Sequence, residues 1–334
     1  MTIKPPFLLL LGDAHELGYI KTALGLIEWR PDDCLGQLRI TNDCISAGLP
    51  DMTLAEAKAA GIKTLIIGVA PAGGRLPDNW MTTLKEALFL GFDIASGLHD
   101  KLNDYNELVE IAKSQNTQLL DLRSISDKFT TGTGIKRTGK RLMTVGTDCA
   151  VGKKYTALCI YQALRDTGIR TDFRATGQTG ILLTGSGIPI DATIADFTAG
   201  AAEALSPDNE DAHWDIIEGQ GAIFHPAYSG VCLSLLHGSQ PDAMVLCHDP
   251  SRPYLLGHDS FKVPGIAHCI SSYEMLARLT NPEAKVIAVT INSRELGDRA
   301  YQEYKTKVIE LTGLVCCDPL REGVAGIIES LIQK

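Results

Sequence analysis

No apolar run in the sequence approaches the length of a membrane-spanning helix. The apolar stretch near the start, "PPFLLLLG", is far too short. It also makes a poor leader peptide: one Lys precedes it, and Gly-Asp-Ala-His follows where small residues would be cleaved. It reads as a buried first strand. No cysteines stand as C-x-x-C, and the nine present are odd in number. Most lie in apolar segments, which points to reduced, buried thiols and a cytoplasmic location, not a disulfide or zinc framework. Positive charge is the minority, with 31 Lys and Arg against 40 Asp and Glu and a net charge of -9. That argues against nonspecific binding to nucleic acid or anionic membrane. The N-terminal half holds no G-x-G-x-x-G, so it lacks the usual dinucleotide fingerprint. No internal repeat is visible.

What is present is alternation. Strand-like runs "FLLLLGDA", "TLIIGVAPAGG", "DIASGLH" and "QLLDLR" are separated by helical patterns such as "WMTTLKEALFLG" and "YNELVEIAKSQ". Strands separated by helices imply a parallel sheet with right-handed crossovers, hence an α/β fold. Polar, Gly- and Thr-rich residues break the pattern, and a second alternation then runs to the C-terminus. The expected division is a domain over 1–125, a linker over 126–140 and a second domain over 141–334. The expected helix over 153–166 opens the second domain's first crossover.

The segment "VGTDCAVGKK" carries the clearest chemistry. An apolar strand leads into it, Gly146 and Gly152 allow a tight turn, and a helix starts at Lys153. Unpaired amides at a helix start, with a lysine beside them, form a phosphate cradle. Gly146, Thr147, Asp148, Cys149, Gly152, Lys153 and Lys154 are therefore the candidate cofactor-binding residues. Five residues separate the two glycines, one more than usual. Lys154 stands where nucleotide hydrolases carry the Ser or Thr that binds magnesium. A lysine cannot hold a cation, so no metal is expected, and a phosphate-rich carrier such as coenzyme A suits the loop. Thr147 and Thr156 are the hydroxyls that could replace the missing one.

Other candidates lie where strands end. "DIIEGQGAIFHP" puts Glu218 and Gln220 at a strand end, with His225 following. The glycine-dense "RATGQTGILLTGSGIPIDATIADF" reads as a substrate-lining loop with Arg174, Gln178, Thr179 and Asp191. Asp196 reads instead as a helix start. "HDPSRPYLLGHDSF" clusters His248, Asp249, Arg252, His258 and Asp259, without the helical spacing of a histidine metal pair. Its Arg252 could fork onto a carboxylate or pair with Asp249 or Asp259. In the first half, Gly73, Gly74, Arg75 and His99 follow strands.

Two resemblances add to this. "GTDCAVGKK" and "EGQG" resemble the phosphate loop and strand-end motif of dethiobiotin synthetase and related ligases. More broadly, "GVAPAGG", "SGLHDKL", "VGTDCAVGKK", "GQTGI", "GSGIPIDATIADFTAGAAE" and "EGQGAIFHPAYSGV" resemble the DUF1611 family over nearly the whole chain. That resemblance implies a Rossmann-like first domain and a P-loop second domain. It implies an N-acetyltransferase moving acetyl from acetyl-CoA to D-glutamate, in D-amino-acid catabolism. Under it, Glu218 or His225 takes the amine proton, and Arg252, Arg174 and Arg75 meet the carboxylates. The expected partners are small-molecule substrates and further copies of the chain. The alternatives are an ATP- and magnesium-dependent ligase or kinase acting on a small carboxylate, with Asp148, Asp191 or Glu218 as metal ligands, and a non-catalytic nucleotide-binding regulator.

Overall fold

The computed structural model describes residues 3–17, 19–41, 43–69, 74–125 and 128–332. They form two compact units. The first takes Met1–Ser126 and Gln178–Ala192, the second Asp127–Gly177 and Thr193–Lys334.

In the first unit the strands are β1 (Phe7–Gly12), β2 (Cys34–Arg39), β3 (Thr64–Ile67), β4 (Asp93–Ser96) and β5 (Leu119–Asp121). All pair in parallel, in the order β2-β1-β3-β4-β5. Every residue of β1 is buried, as a central parallel strand covered on both faces requires. The crossover helices are α1 (Lys21–Trp29), α2 (Leu54–Ala59), α3 (Met81–Phe89) and α4 (Asn106–Gln115). α2 opens with a capping box, in which Thr53 accepts from the Glu56 amide and the Glu56 carboxylate accepts from Thr53.

The second unit opens with β6 (Lys140–Gly146), α5 (Lys153–Asp166) and β7 (Thr171–Arg174). The chain then visits the first unit as α6 (Gln178–Thr184) and returns. Next come α7 (Thr198–Leu205), β8 (Trp214–Ile217), α8 (Ser229–Ser239) and β9 (Ala243–His248). A short antiparallel hairpin follows, β10 (Tyr254–Leu255) with β11 (His258–Lys262). Last are α9 (Ile266–Ala277), β12 (Lys285–Ile291), α10 (Asp298–Thr312), β13 (Val315–Cys317) and α11 (Ala325–Ile332). The large sheet is parallel in the order β13-β12-β9-β6-β8-β7. The connection from β6 runs to one side and that from β9 to the other. The crevice outside the carboxyl ends of β6 and β9 is thus a topological switch point, the usual ligand position in such sheets.

Three features differ from the sequence reading. β2 and α2 were not anticipated, because "CLGQLR" has a glycine and a glutamine where strand patterning should be apolar. Gln37 is nonetheless buried, donating to Ser46 and Asp51 and accepting from the Ala47 amide. The glycine-dense segment is partly helical. Its Ile181 and Leu182 are buried as α6 packs on α1, and Arg30 donates to the Leu182 carbonyl. The hairpin after β9 was also unforeseen. Gly73 lies outside the described residues.

Candidate active site

The phosphate loop is held from several sides. Gly152 adopts φ +107° and Ala150 φ +53°, so the chain turns through left-handed conformations just before α5 begins. The buried Lys153 ammonium donates to the Asp148 carbonyl at 2.8 Å. Its stem passes Gly146, where a Cβ would lie 3.0 Å from Nζ and 2.8 Å from the Asp148 carbonyl. The Asp148 carbonyl, with the Val151 side chain 2.9 Å away, leaves no room there for a side chain. The fully buried Tyr273 hydroxyl donates to the Gly146 carbonyl at 2.8 Å and accepts from the Ile223 amide at 3.2 Å. It ties the loop to the segment after β8.

Asp148 organises the loop's other side. Its Oδ1 accepts from the Cys149 amide, and its Oδ2 from Arg252 at 3.1 Å and the Leu256 amide at 2.9 Å. Arg252 also donates to the carbonyls of Cys149 and Ala150, both at 2.8 Å, and pairs with Asp249 at 3.5 Å. Thr147 and His248 share a 2.9 Å hydrogen bond, and the second ring nitrogen of His248 meets the Tyr304 hydroxyl at 2.9 Å. Burial pushes His248 down to about 4, so its ring is neutral. Burial likewise raises the Cys149 thiol above its ordinary value, with Lys153 opposing. A thiol held protonated is a poor nucleophile.

At the end of β8, the Glu218 carboxylate is buried and accepts from the amides of Thr176 at 3.0 Å and Gly177 at 3.1 Å. Gln220 donates to the Thr176 hydroxyl, which donates to the Glu218 carbonyl. Gly219 admits no side chain, because a Cβ would run into the Thr144 carbonyl and lie 3.1 Å from the Lys153 stem. This close approach sets Glu218 beside the phosphate loop.

The structure changes several expected roles. Arg252 does not wait for a substrate carboxylate; its guanidinium is committed to the phosphate loop. Arg174 is committed too, donating to Asp215 at 2.8 Å and Asp172 at 3.0 Å. Arg75 is exposed and belongs, with Gln178, Thr179 and Asp191, to the first unit. There Asp191 pairs with Arg123, which also donates to the Gly97 carbonyl at 2.7 Å. Sequence reading passed over Arg123, although a cation ending "QLLDLR" was its signal. Both nitrogens of His225 are engaged: Nδ1 accepts from the Ala227 amide, and Nε2 donates to the Leu256 carbonyl at 3.1 Å. It braces the loop and has no nitrogen left to take a proton. Nor do the hydroxyls proposed to replace the missing one stand ready. Thr156, on α5, bonds to Thr290 of β12, and Thr147 to His248. Tyr273 gave no sequence signal, being one more apolar position of α9.

Among the described residues, two sets bring three possible metal-ligand atoms within 4.8 Å of one another: Asp148, Cys149 and His225, and Asp172, His213 and Asp215. In the first, the carboxylate and imidazole already hold protein donors and acceptors. In the second, Arg174 supplies the cation.

Fold and site together define a two-domain α/β protein built around a phosphate-binding loop. The chain belongs to the DUF1611 family. Residues 128–328 match its "Domain of unknown function (DUF1611_C) P-loop domain", and residues 38–125 its "Domain of unknown function (DUF1611_N) Rossmann-like domain". The chain is 48% identical over 333 residues to a D-glutamate N-acetyltransferase of Pseudoalteromonas sp, covering 99% of this chain and 100% of that one. It is 46% identical over 329 residues to a D-glutamate N-acetyltransferase of Tritonibacter scottomollicae, covering 98% and 99%. A crystal structure of a DUF1611 family protein from Anabaena variabilis is similar throughout. It gives a TM-score of 0.89 at 29% identity, over 99% of this chain and 100% of that one.

Proposed function

We propose that the chain is an N-acetyltransferase that moves acetyl from acetyl-CoA to the amine of D-glutamate. The carrying observation is the 46–48% identity, over nearly the full length, to two proteins named for that activity. The site supports it. The amides at the start of α5 and the ammonium groups of Lys153 and Lys154 would meet the coenzyme's phosphates. Lys154, which packs over the Tyr155 ring at 4.6 Å, supplies charge where a magnesium-binding hydroxyl would otherwise be.

In the reaction the unprotonated amine attacks the thioester carbonyl. A C–N bond forms, the C–S bond breaks, the sulfur leaves as coenzyme A thiolate, and the amine loses a proton. Glu218 is the group we assign to receive that proton. Two backbone amides fix its carboxylate in direction. His225 positions the loop that follows. All nine cysteines are free, which fits a reducing compartment, and we place the enzyme in the cytoplasm, in D-amino-acid catabolism.

The test mixes protein, acetyl-CoA and D-glutamate with EDTA and follows free thiol. Thiol release that depends on D-glutamate and survives the chelator is expected. No release, with ATP turnover restored by magnesium, would replace this reading with a ligase or kinase.

A further inference from the structure

The hydrogen bonds around Glu218 fix the direction of a neighbouring side-chain amide. The Thr176 hydroxyl has one hydrogen, and it goes to the Glu218 carbonyl at 2.6 Å. Towards Gln220, 3.1 Å away, the same oxygen can then only accept. A glutamine amide has a donor end and an acceptor end, so the amino end must face Thr176. The acceptor end, Oε1, is turned away and has no protein partner among the described residues.

This oxygen belongs to the neighbourhood of the candidate base. A side chain at Gly177 would start 2.5 Å from Gln220 Nε2 and 3.7 Å from Glu218 Oε1. The amide and the carboxylate thus flank one glycine, whose missing side chain leaves a gap beside both. Glu218 and Thr176 are buried, whereas Gly177 and Gln220 are half-buried. The gap is therefore on the open side of the carboxylate. An oriented acceptor beside a base suits a ligand that brings two hydrogens on one atom.

We propose that Gln220 Oε1 holds the attacking amine of the acceptor and aims it. The proposal rests on the acetyltransferase reading and adds a second residue to it. An unprotonated primary amine carries two hydrogens and a lone pair. On attack the C–N bond forms, the C–S bond breaks, and the sulfur leaves with its electron pair. One hydrogen passes from nitrogen to Glu218. The other stays on nitrogen as the amide N–H of the product, and Gln220 accepts from this one. With both hydrogens and the carbon substituent placed, the lone pair has one direction left, toward the thioester carbon. A carboxylate or a phosphate brings only acceptors and would be repelled by the same oxygen.

The experiment compares Gln220→Met, which keeps the length and loses the amide, with the unaltered full chain. Thiol release from acetyl-CoA at varied D-glutamate should show kcat/KM for D-glutamate lowered by about tenfold, the scale of one lost hydrogen bond. Calorimetry should give an unchanged affinity for coenzyme A. The same change in a Thr176→Val background separates contact with the amine from bracing of Thr176. There Gln220→Met should still cost about threefold or more. No cost in that background would mean that Gln220 acts only through Thr176, and would overturn the proposal. Coenzyme A affinity that falls in step with kcat/KM would overturn it as well. Should Gln220→Met fail to fold, Gly177→Ala takes its place. Its methyl group displaces the Gln220 amide and leaves the residue present, and full activity toward D-glutamate would refute the role. If the unaltered chain releases no thiol with D-glutamate, the acetyltransferase reading itself fails. If it does and the variants match it, only the role of Gln220 is lost.

Discussion

Arg252 has its three guanidinium nitrogens engaged by Asp148, Asp249 and the carbonyls of Cys149 and Ala150. A lysine there keeps the charge and loses the fork. Arg252→Lys should therefore loosen the phosphate loop and raise the Michaelis constant for acetyl-CoA, by about 1–3 kcal/mol of binding. The constant for D-glutamate should move little. Steady-state kinetics with each substrate varied decides it, and a rise confined to D-glutamate would return Arg252 to the acceptor site. Glu218→Gln preserves the shape and removes the basicity. The rate should fall by roughly 10²–10⁴, with cooperative unfolding retained. A rate within a few-fold of the unaltered enzyme would exclude Glu218 as the base. His248 makes a pH prediction. Its folded value, about 4, lies below its ordinary 6.5, so the neutral ring favours the fold. The contribution is complete above 6.5 and is lost as pH falls toward 4, on the order of 2–4 kcal/mol. His248→Gln should flatten the stability profile across that window in urea titrations, while the profile above it keeps its slope.

At the scale of elements, the contact between β6 and β8 carries the site. Adding a methyl at Gly219 drives Cβ into the Thr144 carbonyl, and neither backbone can yield without opening the sheet edge. Gly219→Ala should lower stability by about 1–3 kcal/mol or more and abolish coenzyme binding. Gly230, near the start of α8, has open space around its Cβ position. Gly230→Ala should be neutral or stabilise by up to about 1 kcal/mol. Thermal unfolding of the pair checks both, and equal losses would contradict the contact. α5 was legible to its end residues, because glycine, lysine and apolar spacing are local signals. The β10–β11 hairpin was not, since it depends on Asp148 and His225, which are remote from it in sequence.

Over the whole molecule, the two family domains meet in sequence near residue 126, yet α6 folds with the first unit. A chain cut between the two domains would leave a first fragment without the helix that covers α1, and a second with Ile181 and Leu182 exposed. Neither fragment should unfold with the sharp cooperativity of the intact chain, and mixing them should restore part of it. Calorimetry of both fragments tests this; a fully cooperative first fragment would show that α6 is dispensable. The sequence by itself determined the α/β alternation, the phosphate loop, the glutamate at a strand end and the family, because each is written in contiguous residues. Tertiary structure alone decided which charges are free to act. Arg252 and Arg174 looked alike as carboxylate binders, and both are held by acids of the same unit. His225 looked like a base, and its two nitrogens are held by backbone groups. Ion pairs and hydrogen bonds join residues far apart in the chain, so no local pattern could have told a committed side chain from an available one.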